Sequence, residues 1–423
     1  MYFKVNSDFL IITLSQIVQL IIGYLILSFV VNKLNARDFS LYSIAFTVIL
    51  FARHVFYDSF SVVISKKISR KKTYILVSNT YKNLLFLYFL ILLLVLTVIN
   101  FFIYLFNFYI DIIYMEWIIL CSIYLSAYGI LGVNINVLNL TFYRKQAAIF
   151  SMVEVFLKLI IIIIFLNYID NDIENIFLYL SLGTFVVLFF TFSEILPSFK
   201  FKNIFGKKHI ILLKIIFIRS IPFLVPSIIV GLKIYIDKWI FSTTLTVDDL
   251  ATYLLYFQLG VVPVTILVGV IQTYIAPIIY KESCNLINLF RLISKTLLLL
   301  LVLALFFTIF VDFISYYFVD FMSNNFYSIY SSYLYLFVIS GFLIAFCSIL
   351  YVCFISLVSN FSLFYFSILT LLFNVLILYI FTIDSDFTGS VYGLLYSSIF
   401  SFLAHLSYFL YLTLSKLQTY TNA

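Results

Sequence analysis

Charge is scarce in this chain: only 10% of its 423 residues are Asp, Glu, Lys or Arg, against about 25% in a soluble domain. Water is therefore not the solvent for most of it. Long polar loops are missing too, since the longest outward candidates, 107–111, 168–175 and 319–330, are short. That excludes a soluble domain between apolar runs, and it counts against an embedded polymerase or ligase, which needs a sizeable loop to hold its acceptor and acid/base groups.

Cysteine and histidine are too few and too dispersed for metal chemistry. Cys121, Cys284, Cys347 and Cys353 lie in or beside apolar runs without ligand spacing, and His54, His209 and His405 are far apart. Buried thiols are the simpler reading. No glycine-rich phosphate loop and no nucleophile-base arrangement stands out, so no catalytic site and no cofactor is expected. The 25 basic residues give a formal net charge of +7, but they are scattered between apolar runs, which excludes a nucleic-acid face.

What is abundant is apolar: 65% of the residues, with a mean hydropathy of +1.17. A span needs about 20 such residues. Runs of that length predict helices at 9–31, 39–64, 80–106, 113–140, 146–168, 175–196, 215–241, 250–278, 292–312, 331–358, 361–383 and 388–414. The first lacks a small-residue cleavage site after it and reads as a retained span.

Lys and Arg alternate with these spans. Lys66, Lys67, Arg70, Lys71, Lys72, Arg144, Lys145, the cluster from Lys200 to Arg219, Lys281, Arg291 and Lys295 fall in inward loops. The outward loops are mainly acidic, with Asp38, Asp111, Asp170, Asp248, Asp249, Asp320 and Asp384. The bias predicts both termini in the cytoplasm and an even count of twelve.

An internal repeat supports two halves. Asp38-Phe-Ser-Leu-Tyr42-Ser-Ile-Ala-Phe46 aligns with Asp249-Leu-Ala-Thr-Tyr253-Leu-Leu-Tyr-Phe257 at an offset of 211 residues, as in transporters built from parallel repeats. The expected architecture is an all-α integral membrane protein, about 12 transmembrane helices in two pseudo-symmetric six-helix lobes around a central cavity. Its parts would be an N-terminal lobe at 1–199, a basic cytoplasmic linker at 200–214 and a C-terminal lobe at 215–423.

Charges at membrane depth are costly and usually functional. Arg53 and Asp58 fall in the second span, Glu154 and Lys158 one turn apart in the fifth, and Lys233 and Asp237 at the same spacing in the seventh, with Lys238 next. Each i,i+4 pair is either a neutralised packing contact or, with Arg53, Lys158 and Lys233 as cavity cations, a site for an anionic cargo. Lys238 is expected to snorkel to the outer interface. Asp58, Glu154 and Asp237 are candidates for pairing or for a coupling ion.

Amides at Gln16, Gln19, Asn134, Asn136, Asn139, Gln258, Gln272 and Asn374 suit interhelical bonds or sugar hydroxyls. Pro222 and Pro226 each remove a backbone donor from the seventh span and predict a gating hinge or a static kink.

Three passages resemble the polysaccharide flippases, the O-antigen or Wzx-type branch of the multidrug/oligosaccharidyl-lipid/polysaccharide exporter superfamily. Asn32-Lys-Leu-Asn-Ala-Arg-Asp38-Phe-Ser-Leu-Tyr42 is similar to that family's turn into the second span, with Asn35-Ala36 in place of Gly-Pro. The stretch from Pro222 to Trp239, with Ile236-Asp237-Lys238, resembles its Pro-rich helix ending in an Asp-Lys pair. Tyr253 through Pro263 to Ala276-Pro277 resembles the span that follows.

The resemblance covers essentially the whole chain. It implies translocation of undecaprenyl-diphosphate-linked oligosaccharide units from the inner to the outer leaflet of the bacterial plasma (inner) membrane, by alternating access, for O-antigen or capsule-type polysaccharide and lipopolysaccharide. Implied partners are the lipid-linked oligosaccharide, membrane lipids, a polysaccharide polymerase and chain-length proteins. A multidrug exporter of the same superfamily is the nearest alternative and would rely on an acidic cavity.

Overall fold

In lipid every backbone N–H must find its acceptor within its own segment, so an apolar chain with few glycines and prolines folds as helices. A computed structural model describes residues 7–58, 93, 97, 112–140, 143–168, 173–195, 207–282, 286–357, 360–382 and 386–421, and among them none lies in a strand.

The first helices are α1 (Ser7–Lys33) and α2 (Ala36–Arg53), the latter continuing into a π-helical turn at His54–Asp58. Then come α3 (Ile112–Leu140), α4 (Arg144–Tyr168), α5 (Ile173–Ile195) and α6 (Lys207–Thr244). Helix α7 (Val247–Tyr256) passes through a second π-helical turn, Phe257–Val261, into α8 (Val262–Glu282). Helix α9 (Leu286–Ser323), a 3-10 turn at Ser328–Tyr333, α10 (Leu334–Leu357), α11 (Asn360–Phe381) and α12 (Phe387–Thr421) complete the described chain.

Eleven of the twelve expected spans coincide with these helices, counting α7 and α8 as one; the third, 80–106, lies outside the described residues apart from Leu93 and Thr97. Ten are long and apolar enough to cross a membrane among the described residues. The protein is thus a multi-pass membrane protein. One expected loop is shorter than anticipated: α9 runs on through Val319 and Asp320 to Ser323 and stops only where Asn324 and Asn325 take positive φ of 47° and 70°. Asn tolerates that conformation better than most residues.

Two compact units form, one of Met1–Leu34 with Ala45–Gly231 and the other of Asn35–Ile44 with Leu232–Ala423. The divisions fall between α1 and α2, inside α2 and inside α6. Of the expected linker 200–214, residues 207–214 are the opening turns of α6, and 200–206 lie outside the described residues.

In the first unit α4 packs on α1 and α5, and α3 packs on α4 and α5. In the second, α10 is central, with α8, α9 and α12 against it. Its core includes Val268, Leu289, Leu300, Leu350 and Phe354. The outer side of α9, with Ile309, Phe313 and Tyr317, is exposed, as suits a lipid-facing helix.

The internal repeat has a structural role in both copies. Asn35 Oδ1 accepts from Asp38 N at 2.8 Å while its Nδ2 donates to Asp38 Oδ2 at 2.8 Å. Thr246, 211 residues on, accepts from Asp249 N at 3.3 Å and donates to Asp249 Oδ2 at 2.8 Å. Each pair satisfies an orphan N–H of a helix start and puts a carboxylate at its positive end. The repeat's tyrosines, Tyr42 and Tyr253, are both buried.

Candidate functional site

In the first unit, α4 turns Glu154 and Lys158 inward one turn apart, and each is 6% exposed. They pair directly. Lys158 Nζ also donates to Tyr124 Oη at 3.3 Å, and Thr184 of α5 donates to Glu154 Oε1 at 3.4 Å. Close approach of α5 depends on Gly183, where a Cβ would meet Lys158 Cγ at 3.0 Å and its backbone N at 3.2 Å. Lys158 is therefore a cation neutralised by Glu154, with Tyr124 as a second acceptor.

Around it stand two tyrosines of α3. Tyr124 and Tyr128 stack at 5.5 Å with an interplanar angle of 11°. Lys158 Nζ lies 4.7 Å from the Tyr128 ring centre, and Arg53 Cζ lies 4.0 Å from the same centre. A ring quadrupole attracts both charges. Space for the guanidinium comes from Gly132, where a Cβ would fall 2.6 Å from Arg53 Nη2. Arg53 is the last residue of α2, immediately before the π turn that ends at Asp58; the Asp58 side chain is outside the described residues. Such turns are frequent at functional sites.

In the second unit the charges pair differently from the spacing. Asp237 accepts from Lys238 Nζ at 2.9 Å on both oxygens and from Tyr253 Oη at 2.6 Å. Lys238 is not a snorkelling interfacial residue: it is 1% exposed. Its long side chain curls back to donate to Ile234 O at 3.0 Å, which brings Nζ to the neighbouring carboxylate, and the Phe257 ring covers it at 3.3 Å.

Asp237 being taken, Lys233 is left half-buried with a hydroxyl as partner, Thr370 Oγ1 at 3.1 Å on α11. Among the described residues no carboxylate comes within ion-pair distance of it. Cys347 and His405 are in its electrostatic reach.

Pro222 and Pro226 both lie inside α6, which continues through them to Thr244. The amides mostly join helices. Asn134 donates to Thr191 at 3.3 Å, Gln258 to Ser43 at 3.2 Å and Asn374 to Ser401 at 2.8 Å, while Gln272 accepts from Ser348 at 3.2 Å. Among the described residues Gln19 Nε2 has no hydrogen-bond partner. Asn136 is exposed. Among the described residues no three His, Cys, Asp or Glu side chains gather as a metal site.

Sequence reasoning did not single out Tyr124, Tyr128 or Thr370, took Tyr253 only as part of the repeat and counted His405 only among dispersed histidines. In a chain with 34 tyrosines, no local signal separates a cation-facing ring from a packing one.

No protein-family model and no curated protein matches the chain. Solved structures do match its fold. An outward-facing multidrug resistance MATE family transporter of the MOP superfamily is 13% identical with a TM-score of 0.67, covering 98% of this chain and 97% of that one. A MOP superfamily transporter from Pyrococcus furiosus, whose binding pocket of reverse polarity suggests a different function for it, is 14% identical with a TM-score of 0.64, covering 96% of both chains. The lipid II flippase MurJ, in an inward closed conformation, is 15% identical with a TM-score of 0.67, covering 97% of this chain and 91% of that one. At these identities the likeness is one of fold: this chain has the helical two-lobe architecture of MOP superfamily transporters.

Proposed function

We propose that this protein is a transporter, not an enzyme, that flips undecaprenyl-diphosphate-linked oligosaccharide units from the inner to the outer leaflet of the bacterial plasma membrane by alternating access. Both termini would be cytoplasmic. The observation that carries the reading is Lys233, a membrane-depth ammonium whose expected carboxylate is held by Lys238 and Tyr253. A cation kept at that cost with no counter-charge among the described residues favours an anionic cargo. Arg53 over Tyr128 is the second cargo cation, and Lys158, tied to Glu154, shapes the field around it.

The shared fold with a lipid flippase supports this reading, and the shared fold with MATE transporters supports the multidrug alternative equally. The charge pattern favours the flippase. A drug exporter for cations needs an available carboxylate, whereas Glu154 and Asp237 each hold a lysine. A coupling proton or sodium ion would have to displace those lysines or act at Asp58. Pro222 and Pro226 would supply a gating hinge in α6.

The test is genetic. Deleting the gene should accumulate lipid-linked oligosaccharide and abolish surface polysaccharide, with rescue by wild type but not by Arg53→Ala/Lys233→Ala. Unchanged precursor and polymer would transfer the assignment to the drug exporter.

A further inference from the structure

Two polar groups of the second unit are short of partners in one neighbourhood. Lys233 Nζ carries three donors and gives one to Thr370. His405 of α12 is 4% exposed, and its Nδ1 lies 2.7 Å from the Ser401 carbonyl. A carbonyl only accepts, so the hydrogen sits on Nδ1 and Nε2 of the neutral ring presents a lone pair. Among the described residues nothing donates to that lone pair.

The ring is held firmly for so under-used a group. It stacks on Phe354 at 5.8 Å and meets Phe366 edge-on at 5.0 Å. Thr370, the partner of Lys233, lies one turn beyond Phe366 and donates to the Phe366 carbonyl at 3.0 Å. Behind the ring, Asn374 Nδ2 donates to Ser401 Oγ at 2.8 Å and Ser401 Oγ donates to Asn374 Oδ1 at 3.0 Å, which fixes the turn whose carbonyl orients the imidazole. The imidazole thus offers a fixed acceptor to a ligand's donor.

We propose that Lys233 and His405 form a two-part subsite for a glycosyl diphosphate, in which the ammonium takes a phosphate oxygen and Nε2 accepts a hydrogen from a hydroxyl or amide of the attached sugar. The proposal rests on the cargo reading above and deepens it. His405 becomes the group that distinguishes a sugar-bearing lipid diphosphate from a bare one. Nothing in the subsite suits a lipophilic cation, because its charge is positive.

The full-length protein in lipid nanodiscs would be titrated with farnesyl diphosphate and with N-acetylglucosaminyl farnesyl diphosphate. Lys233→Met should weaken both probes roughly tenfold, as loss of a charge-assisted contact does. His405→Phe should weaken only the sugar-bearing probe, by roughly three- to tenfold, and His405→Gln, which keeps an acceptor, should retain most of the affinity.

Equal loss for both probes in His405→Phe, or loss for neither while Lys233→Met still weakens both, overturns the role of His405 and leaves the cargo reading standing. Wild type that binds neither probe, or binding indifferent to Lys233→Met, overturns both. Should His405→Phe fail to fold, the 15N resonance of Nε2 in the wild-type protein decides: it must move with the sugar-bearing probe and stay with farnesyl diphosphate, and indifference to both overturns the proposal.

Discussion

Two lysines stand four residues from a carboxylate, and their fates differ. Lys158 takes Glu154 and is sealed by Tyr124, Thr184 and the Gly183 contact. Lys233 loses Asp237 to Lys238 and Tyr253. Breaking the first pair by Glu154→Ala leaves a buried ammonium unpaired and should destabilise the protein by about 3–5 kcal/mol, whereas Glu154→Leu/Lys158→Met should recover most of it; thermal unfolding of the two variants checks this. Tyr253→Phe removes a hydrogen bond to a charge and should cost about 1.5–3 kcal/mol. Lys233→Met should leave thermal stability near that of wild type and depress transport, the signature of a residue kept for cargo. Spacing alone could propose these pairs but could not settle the second, because the competitor is a neighbouring lysine whose chain folds back and a tyrosine from another helix.

Helices were legible from the apolar runs because lipid leaves the backbone few alternatives. The repeat at Asp38 and Asp249 was legible for a reason now visible, since each aspartate completes a capping pair with the residue three before it. Asn35→Ala and Thr246→Ala should each cost about 0.5–2 kcal/mol and speed hydrogen exchange at the start of α2 and α7 respectively, with little change elsewhere. The π-helical turns at His54–Asp58 and Phe257–Val261 were not legible, as one extra residue in a turn leaves an apolar pattern nearly intact. The contact of Gly132 with Arg53 also escaped notice, being made between helices distant in sequence. Gly132→Leu should push the guanidinium off Tyr128 and reduce transport without removing any charge; a flipping assay alongside thermal unfolding separates that effect from misfolding.

At the scale of the molecule, the fold is that of transporters whose named cargoes diverge, from MATE multidrug transporters to a lipid II flippase. Fold does not fix function, so the proposed cargo must be argued from charge. Here Glu154 and Asp237 are held by lysines, while among the described residues no carboxylate comes within ion-pair distance of Lys233. The most direct test is a leaflet-translocation assay in proteoliposomes, using a fluorescent undecaprenyl-diphosphate-linked oligosaccharide with wild type and Lys233→Met. The account predicts translocation by wild type and a loss of roughly tenfold in Lys233→Met at equal protein folding. No translocation by wild type, together with export of a lipophilic cation that Lys233→Met leaves untouched, would contradict it.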